Sequence, residues 1–233
     1  MAQRRLFELC GADPDIRFSP YCWRIRMALA HKGLEAETVP WRFTQNEAIA
    51  FAGSRTVPVL QDGERTISDS YAIAEYLEAT YPDRPALFPG REPGSLRFIA
   101  SWADRVLMPA LASLVVSDIT DLLRESEKPY FIESREKRFG MPLAQVTAGR
   151  EERLPEFRHL LQPLRAVLRE QAFIAGAAPD YADYIIFGSF MWPRVVSPLV
   201  LLEADDPVQA WMDRMLDLHG GLARGMPARR AAG

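Results

Sequence analysis

The chain has 233 residues, of which 48% are hydrophobic and 25% are charged, a composition typical of a globular protein with one large domain or two smaller ones. Its formal net charge of −3 argues against nucleic acid and anionic membrane surfaces as partners. The two cysteines, Cys10 and Cys22, are too few for a disulfide framework and favour a reducing, cytoplasmic setting. We expect no membrane span, no secretory signal and no metal site, because the sequence shows neither a long apolar run nor a cluster of ligand residues.

The N-terminal part of the chain alternates short apolar segments with helical patterns. Strands are predicted at "RLFELC" (residues 5–10) and at "ETVPW" (37–41), because both segments are short and rich in apolar residues. Between them the amphipathic run "PYCWRIRMALAHKG" predicts a helix. The segment "NEAIAFAG", after the second strand, predicts at most two helical turns.

A hairpin and a helix are predicted next. The segment "VPVLQDGERTIS" reads as two strands joined at Asp62-Gly63, a dipeptide that suits a tight turn. The following "DSYAIAEYLEATYP" predicts a helix that ends at Tyr81-Pro82. The order βαβαββα implies a parallel pair with a right-handed crossover and an antiparallel hairpin.

A change of composition divides the chain into two domains. Four prolines and two glycines in "YPDRPALFPGREPG" favour a linker. We therefore predict an α/β domain at 1–82, a linker at 83–94 and an all-helical domain at 95–233. The three histidines are predicted to hold surface or helix-capping positions. The long helical patterns of the second domain are "SLRFIASWADRVLMPALASLVV", "EERLPEFRHLLQPLRAVLREQ", "DYADYIIFGSFMWPRVV" and "DPVQAWMDRMLDLHGG".

The start of the first helix carries chemistry as well as structure. Pro20 suits the first helical turn, which makes Ser19 the N-cap. A sulfur atom placed there would meet a hydroxyl donor, unpaired backbone N–H groups and the positive end of the helix dipole. A cap with no further role is the alternative interpretation.

Three short motifs together carry a resemblance to a known family. Ser19 stands at a helix start, Val57-Pro58 lies before the hairpin, and Asp69-Ser70 opens the next helix. With the change of domain type, these motifs resemble the cytosolic glutathione transferases over essentially the whole chain. The stretches "SPYCWRIRMALAHKG", "VPVL" and "DSYAIAEYLEATYPDRPALF" look similar to the bacterial β-etherase branch and to fungal etherase-related transferases, and "WRIRMAL" is similar to the zeta class.

The resemblance implies a fold, a co-substrate and a set of site residues. The fold would be a thioredoxin-like domain followed by an all-helical domain. Glutathione would be the co-substrate, with no metal, and Ser19 would activate its thiol. Val57 and Pro58, joined by a cis peptide bond, would pair with its cysteinyl part. Asp69 would face the γ-glutamyl ammonium and Ser70 the γ-glutamyl carboxylate.

The glycine carboxylate of glutathione has no single predicted partner. Arg42, Gln45, Arg55 and Thr56 all lie in a suitable region of the sequence, and many relatives have a lysine where this chain has Thr56. The choice among the four stays open at this point.

The second substrate is expected to be a small hydrophobic or aromatic electrophile bound between the domains. Candidate apolar liners are Phe43, Phe98, Trp102 and Met108. The family is commonly dimeric, so the resemblance also implies a homodimer. In "GAAPDYADYIIFGSF", Asp180 and Asp183 predict a capping box without a catalytic role.

Two other functions are compatible with the same sequence. The protein could hold glutathione and aromatic ligands without catalysis, or Cys22 could serve a thioltransferase, although serine stands where such enzymes have their attacking cysteine. Tyr21 is an alternative hydroxyl donor to the thiol. The sequence does not identify the electrophile or decide whether aryl ethers are cleaved.

Overall fold

A computed structural model describes residues 4–90 and 93–229 of the chain. Its four-stranded sheet has the order β2-β1-β3-β4. The pair β1–β2 is parallel, while β1–β3 and β3–β4 are antiparallel, so the predicted topology is confirmed. Phe7 lies opposite Val39 on one side and Val59 on the other. The strands are β1 (Arg4–Leu9), β2 (Glu37–Trp41), β3 (Val59–Asp62) and β4 (Arg65–Ser68).

The helices of the first domain begin and end near the predicted residues. Helix α1 is Pro20–His31 and α2 is Ser70–Thr80. The short segment Asn46–Ala52 is a 3-10 helix. Gly63 takes a positive φ of 61° in the hairpin turn, as the Asp-Gly pattern requires.

The second domain contains helices throughout its described part. Helices α5 and α6 were not predicted from the sequence, and Pro163 at the start of α8 divides a pattern that reads as one helix. Residues 91 and 92 of the predicted linker lie outside the part of the chain that the structure describes. The helices are α3 (Pro93–Trp102), α4 (Met108–Val115), α5 (Lys128–Phe139), α6 (Leu143–Val146), α7 (Leu154–Leu160), α8 (Gln162–Glu170), α9 (Tyr181–Val196) and α10 (Pro207–Gly221).

Helices α3 and α4 belong to one long apolar run. A π-helical turn, Ala103–Leu107, joins them, and the run Gly94–Leu122 has 29 residues with a mean hydropathy of 1.4 in its most apolar window. By length and composition it could cross a membrane, so our expectation that no such segment exists is wrong. A core helix of a globular domain passes the same test, and this run packs against α9.

Helix α9 forms the centre of the molecule and packs against α1 of the first domain. The predicted capping box is confirmed: Asp180 accepts from the Ala182 amide at 2.7 Å, and Asp183 accepts from the Asp180 amide at 3.3 Å. Gly188 allows the two helices to approach closely. A Cβ at this position would lie 2.3 Å from the Pro20 carbonyl oxygen, directly behind the start of α1.

Two of the three histidines meet at the boundary between the domains. His31 Nδ1 lies 2.7 Å from the Tyr184 hydroxyl, whose oxygen lies 3.3 Å from His219 Nε2. His31 Nε2 also lies 3.1 Å from the Ala86 carbonyl oxygen. The prediction of surface or capping roles therefore missed a shared contact, although His159 is exposed as expected.

Candidate functional site

A cavity of about 640 Å³ lies between the first domain and the helical domain. The loop ends and helix starts of the first domain form one wall, while α4, α5 and the end of α9 contribute to the other. Its volume is in the range of small-molecule sites. The first wall brings together all five residues assigned to glutathione by the resemblance, namely Ser19, Val57, Pro58, Asp69 and Ser70.

Ser19 caps α1 and lines the cavity at the same time. Its Oγ accepts from the Cys22 amide at 3.3 Å, and its side chain is almost fully buried. Because a serine hydroxyl has two acceptor lone pairs and one O–H donor, the cap itself does not use the proton of Ser19, although the buried Cys22 sulfur also lies within hydrogen-bond reach of this hydroxyl. The two interpretations of Ser19 are therefore compatible in one geometry.

Cys22 lies on the buried side of α1 and does not line the cavity. Burial, together with the nearby Glu8 carboxylate, raises the pKa of the Cys22 thiol to about 12. A thiol in this state is protonated at neutral pH, and a protonated thiol is a poor nucleophile. The structure therefore argues against the thioltransferase interpretation.

Val57 and Pro58 enter the cavity just before β3. Their peptide bond is cis. Pro58 is buried, and the two residues follow Ser54, Arg55 and Thr56, which also line the cavity. The main chain of this segment is thus part of the wall.

Asp69 and Ser70 form the start of α2, and Asp69 is the N-cap. Its Oδ1 accepts from the Tyr71 and Ala72 amides, both at 2.9 Å, while its backbone has a positive φ of 77°. Asp69 is exposed and Ser70 is buried. The Tyr181 hydroxyl donates to the Ser70 carbonyl at 2.8 Å, so the helical domain holds this part of the first domain in place.

The four candidates for a carboxylate partner separate into two pairs. Arg55 and Thr56 line the cavity, whereas Arg42 and Gln45 do not. Arg42 is buried, with Nη2 3.4 Å from the Ala12 carbonyl, and Gln45 Oε1 accepts from the Arg42 amide at 3.1 Å. Arg55 is exposed beside the Val57 segment.

Two family profiles match the sequence of this molecule. The profile described as "Glutathione S-transferase, N-terminal domain" matches residues 18–80. The profile described as "Glutathione S-transferase, C-terminal domain" matches residues 97–218, which is more than half of the chain. The chain belongs to the glutathione S-transferase family.

Solved structures of this family match the whole chain. A glutathione transferase from Phanerochaete chrysosporium is 26% identical, with a TM-score of 0.74, and the match covers 96% of this chain and 94% of that one. A glutathione S-transferase from Ceriporiopsis subvermispora, solved in complex with glutathione, is 23% identical with a TM-score of 0.77. The second match covers 99% of this chain and all of the other, and at that identity it shows the fold alone.

Two of the curated relatives match shorter stretches at higher identity. A zeta-class glutathione S-transferase from Euphorbia esula is 43% identical over 70 residues, and a glutathione S-transferase-like protein from Aspergillus flavus is 28% identical over 138 residues. These stretches cover 28% and 53% of this chain, and 31% and 49% of the two relatives' own length.

The predicted liners for the second substrate are only partly in the cavity. Phe43 and Met108 line it. Phe98 has 71% of its surface exposed, and both Phe98 and Trp102 lie outside the lining. Along this helical run the wall is formed at Asp104, Met108 and Ala112, so the apolar pattern placed Met108 correctly but Phe98 and Trp102 wrongly.

The contribution of α5 to the opposite wall of the cavity was missed by the sequence analysis. Tyr130, Arg135, Arg138 and Phe139 all line the cavity. The signal was weak because α5 is polar, with several charged residues and only Phe131 buried. The spacing of Phe131, Arg135 and Arg138 on one helical face could have indicated it.

Tyr21 lines the cavity but has other partners. Its ring lies 4.5 Å from the Arg24 guanidinium, and Arg24 pairs with Asp104 at 2.7 Å. Burial, and then the Asp104 carboxylate, raise the pKa of the Tyr21 hydroxyl. A hydroxyl engaged with Asp104 is less suited than Ser19 to donate to a thiolate.

Proposed function

We propose that this protein is a glutathione transferase that ionises the thiol of glutathione at Ser19 for attack on a hydrophobic electrophile. The observation that carries the proposal is the position of the Ser19 hydroxyl. It lies at the N-terminus of α1, in a cavity whose same wall holds the Val57-Pro58 segment and the start of α2. Membership of the family supports glutathione as the co-substrate.

Each part of the first wall has a proposed contact with the tripeptide. The main chain at Val57 pairs with the cysteinyl part, and Ser70, at a helix N-terminus, binds the γ-glutamyl carboxylate. Asp69 binds the γ-glutamyl ammonium with the carboxylate oxygen that its cap leaves unused. Arg55 is the cation nearest to the Val57 segment in sequence and the proposed partner of the glycine carboxylate.

The magnitudes are sufficient for the proposed activation. A free thiol has a pKa of about 8.5, and lowering it by two units requires about 2.7 kcal/mol of preferential stabilisation of the thiolate. One hydrogen bond to a charged acceptor contributes about 1.5–3 kcal/mol. The dipole of α1 adds about 0.3–1 kcal/mol. Together these two effects account for such a shift.

The reaction follows from the ionised thiol. The thiol proton leaves to solvent, the sulfur attacks an electrophilic carbon, a C–S bond forms, and the leaving group departs with its electron pair. In the etherase form of the reaction, the C–O bond to an aryl oxygen breaks and a phenolate leaves. The resemblance of "SPYCWRIRMALAHKG" to etherase-type transferases supports that form as a proposal.

A thiolate titration tests the proposal directly. Ultraviolet absorbance of enzyme-bound glutathione is followed against pH, for the native chain and for Ser19→Ala. We expect a bound-thiol pKa well below that of free glutathione in the native chain and a return toward the free value in the variant. Binding with an unshifted pKa would favour a non-catalytic ligand carrier, and absence of binding would refute the glutathione assignment.

The oligomeric state is a separate proposal. We propose a homodimer, on the basis of the family alone. Sedimentation velocity would distinguish a species of twice 26.3 kDa from a single chain.

A further inference from the structure

The wall formed by α5 carries positive charge that the described part of the chain does not neutralise. Arg135 and Arg138 both line the cavity. Within residues 4–90 and 93–229, neither forms an ion pair, and the hydrogen bond of Arg135 is from Nη1 to the Ser134 hydroxyl at 2.9 Å. Asp104, the acid on the same wall, is already paired with Arg24 at 2.7 Å.

This arrangement differs from that of several other arginines with little exposed side chain. Arg4, Arg24, Arg150 and Arg165 each hold an aspartate within 3.2 Å, whereas Arg42 and Arg194 hold backbone carbonyls. Arg135 instead lies over aromatic rings. Its guanidinium carbon lies 4.6 Å from the centre of the Phe131 ring and 5.2 Å from that of Phe43.

The ring contacts hold the guanidinium in place while most of its donors stay unused. Arginine has five N–H donors in a planar fork, and within the described part of the chain only Nη1 of Arg135 is hydrogen-bonded, to the Ser134 hydroxyl. Burial, and then the charge of Arg138, lower the pKa of Arg135, so the environment makes its charge costly. An anion bound at the edge of the guanidinium would remove that cost, and a carboxylate matches the fork in two parallel hydrogen bonds.

Resting on the function proposed above, we infer that the second substrate is an aromatic electrophile bearing a carboxylate, which Arg135 binds. Phe43, which lines the cavity beneath Arg135, supplies an apolar surface for the ring of such a substrate. Arg138 adds positive charge at the exposed rim. In the proposed binding mode, Arg55 and the start of α2 bind the two carboxylates of glutathione. The positive charge of Arg135 and Arg138 on α5 is therefore available to bind the second substrate.

A pair of electrophiles of closely similar shape, one anionic and one neutral, tests this inference. Conjugation of glutathione to 4-chloro-3-nitrobenzoate and to the neutral 4-chloro-3-nitrobenzamide is measured as kcat/KM, and both compounds are also titrated calorimetrically in the presence of S-methylglutathione. Each kcat/KM is divided by the rate constant of the uncatalysed reaction with glutathione, because the carboxamide activates the ring more strongly than the carboxylate. In each reaction a C–S bond replaces the C–Cl bond and chloride leaves. We expect the native chain to favour the benzoate, and Arg135→Leu to lower kcat/KM and affinity for the benzoate about 10- to 100-fold while changing the benzamide values less than about threefold.

Three further variants separate the possible explanations. Arg135→Lys keeps the charge and should retain part of the benzoate preference, Arg138→Gln should weaken it less than Arg135→Leu, and Arg105→Gln, an exposed charge outside the cavity lining, should leave it unchanged. Melting temperatures establish that each variant is folded.

Two results would overturn the inference. One is a native chain that binds and converts the benzamide as well as the benzoate. The other is an Arg135→Leu variant in which both electrophiles slow equally and the KM for glutathione rises, which would assign Arg135 to the glycine carboxylate. If the native chain converted neither compound but bound the benzoate through Arg135, the proposed transferase function would fail while the anion site would stand.

Discussion

The two walls of the cavity are built in different ways. The wall assigned to glutathione consists of helix starts and a loop, with Ser19 capping α1 and Asp69 capping α2. The wall assigned to the electrophile consists of side chains from helices that are distant in the chain, such as Met108, Arg135 and Trp192. In the proposed function, short local motifs at helix starts and a loop bind the constant ligand, whereas side chains from several helices bind the second substrate and can change without disturbing those motifs.

The largest expected effect comes from removing the hydroxyl that is proposed to contact the reacting sulfur, which belongs to the first wall alone. Ser19→Ala should lower kcat/KM about 10- to 100-fold with every electrophile, because it removes one hydrogen bond to the thiolate. Steady-state kinetics with a neutral and an anionic electrophile would measure this. Ser113→Ala is the matched control, since Ser113 lies outside the cavity lining and its hydroxyl donates to the Ala110 carbonyl of the same helix, and the activity of this variant should persist. A loss confined to one electrophile would contradict the assignment of Ser19 to the thiol.

The second largest effect is expected from disrupting the close contact between α1 and α9, which holds the two walls together. Gly188→Ala places a Cβ 2.3 Å from the Pro20 carbonyl and 3.1 Å from Arg24 Cγ, so α1 and α9 must separate. We expect a loss of about 1–3 kcal/mol in the free energy of unfolding, measured by urea denaturation, together with reduced activity, because Pro20 adjoins Ser19. Gly94→Ala, in α3 with no atom within 4 Å of its added Cβ, is the control and should be nearly neutral. Equal stability of the two variants would refute this account.

A third change tests whether Asp69 binds glutathione or only caps α2. Asp69→Asn keeps a side-chain oxygen for the two amides of α2, and asparagine has the same shape and closely similar backbone preferences as aspartate at the φ of 77° and ψ of 129° found there. We expect stability to stay nearly constant while the KM for glutathione rises about tenfold through loss of a charged contact. Asp69→Ala should raise KM and also destabilise the chain by about 1 kcal/mol. An unchanged KM in Asp69→Asn would remove Asp69 from the glutathione site.

The smallest expected effect concerns the histidine contact between the domains. Burial lowers the pKa of His31 and of His219, with the second further lowered by His31. The unfolded chain therefore takes up protons near pH 6.5 when the folded chain does not, and stability falls as the pH drops below that value. Glu8 acts in the opposite sense, because burial raises its pKa to about 7 and the folded chain holds a proton that the unfolded chain releases.

A double variant separates the effect of the two histidines on the pH dependence of stability from the opposite effect of Glu8. The free energy of unfolding of the native chain and of His31→Gln/His219→Gln is measured between about pH 7.5 and pH 5.5. Since Glu8 is common to both chains, the difference reports the histidines. We expect the native chain to lose more stability on acidification than the variant. Parallel curves of unfolding free energy against pH would contradict the lowered pKa values of His31 and His219.

Much of the fold could be predicted because it depends on local patterns. The two strands joined at Asp62-Gly63, the helix that begins at Pro20 and the capping box of Asp180 are each specified within a few residues, and the structure confirms them. Helix α5 was missed because its charged residues conceal a single buried position, Phe131. The histidine contact was missed because His31 and His219 come together only through Tyr184.

The sequence by itself determined the two-domain architecture, since helix starts and turns are set by neighbouring residues, and its resemblance to the glutathione transferases supplied the five residues proposed to bind glutathione. The tertiary structure decided the rest of the cavity. It excluded Phe98 and Trp102, buried Cys22 away from the cavity, and placed Arg135 beside Phe43 on the opposite wall. The physical reason is that a helix turns about 100° per residue, so the face that reaches the cavity depends on how α4, α5 and α9 pack together.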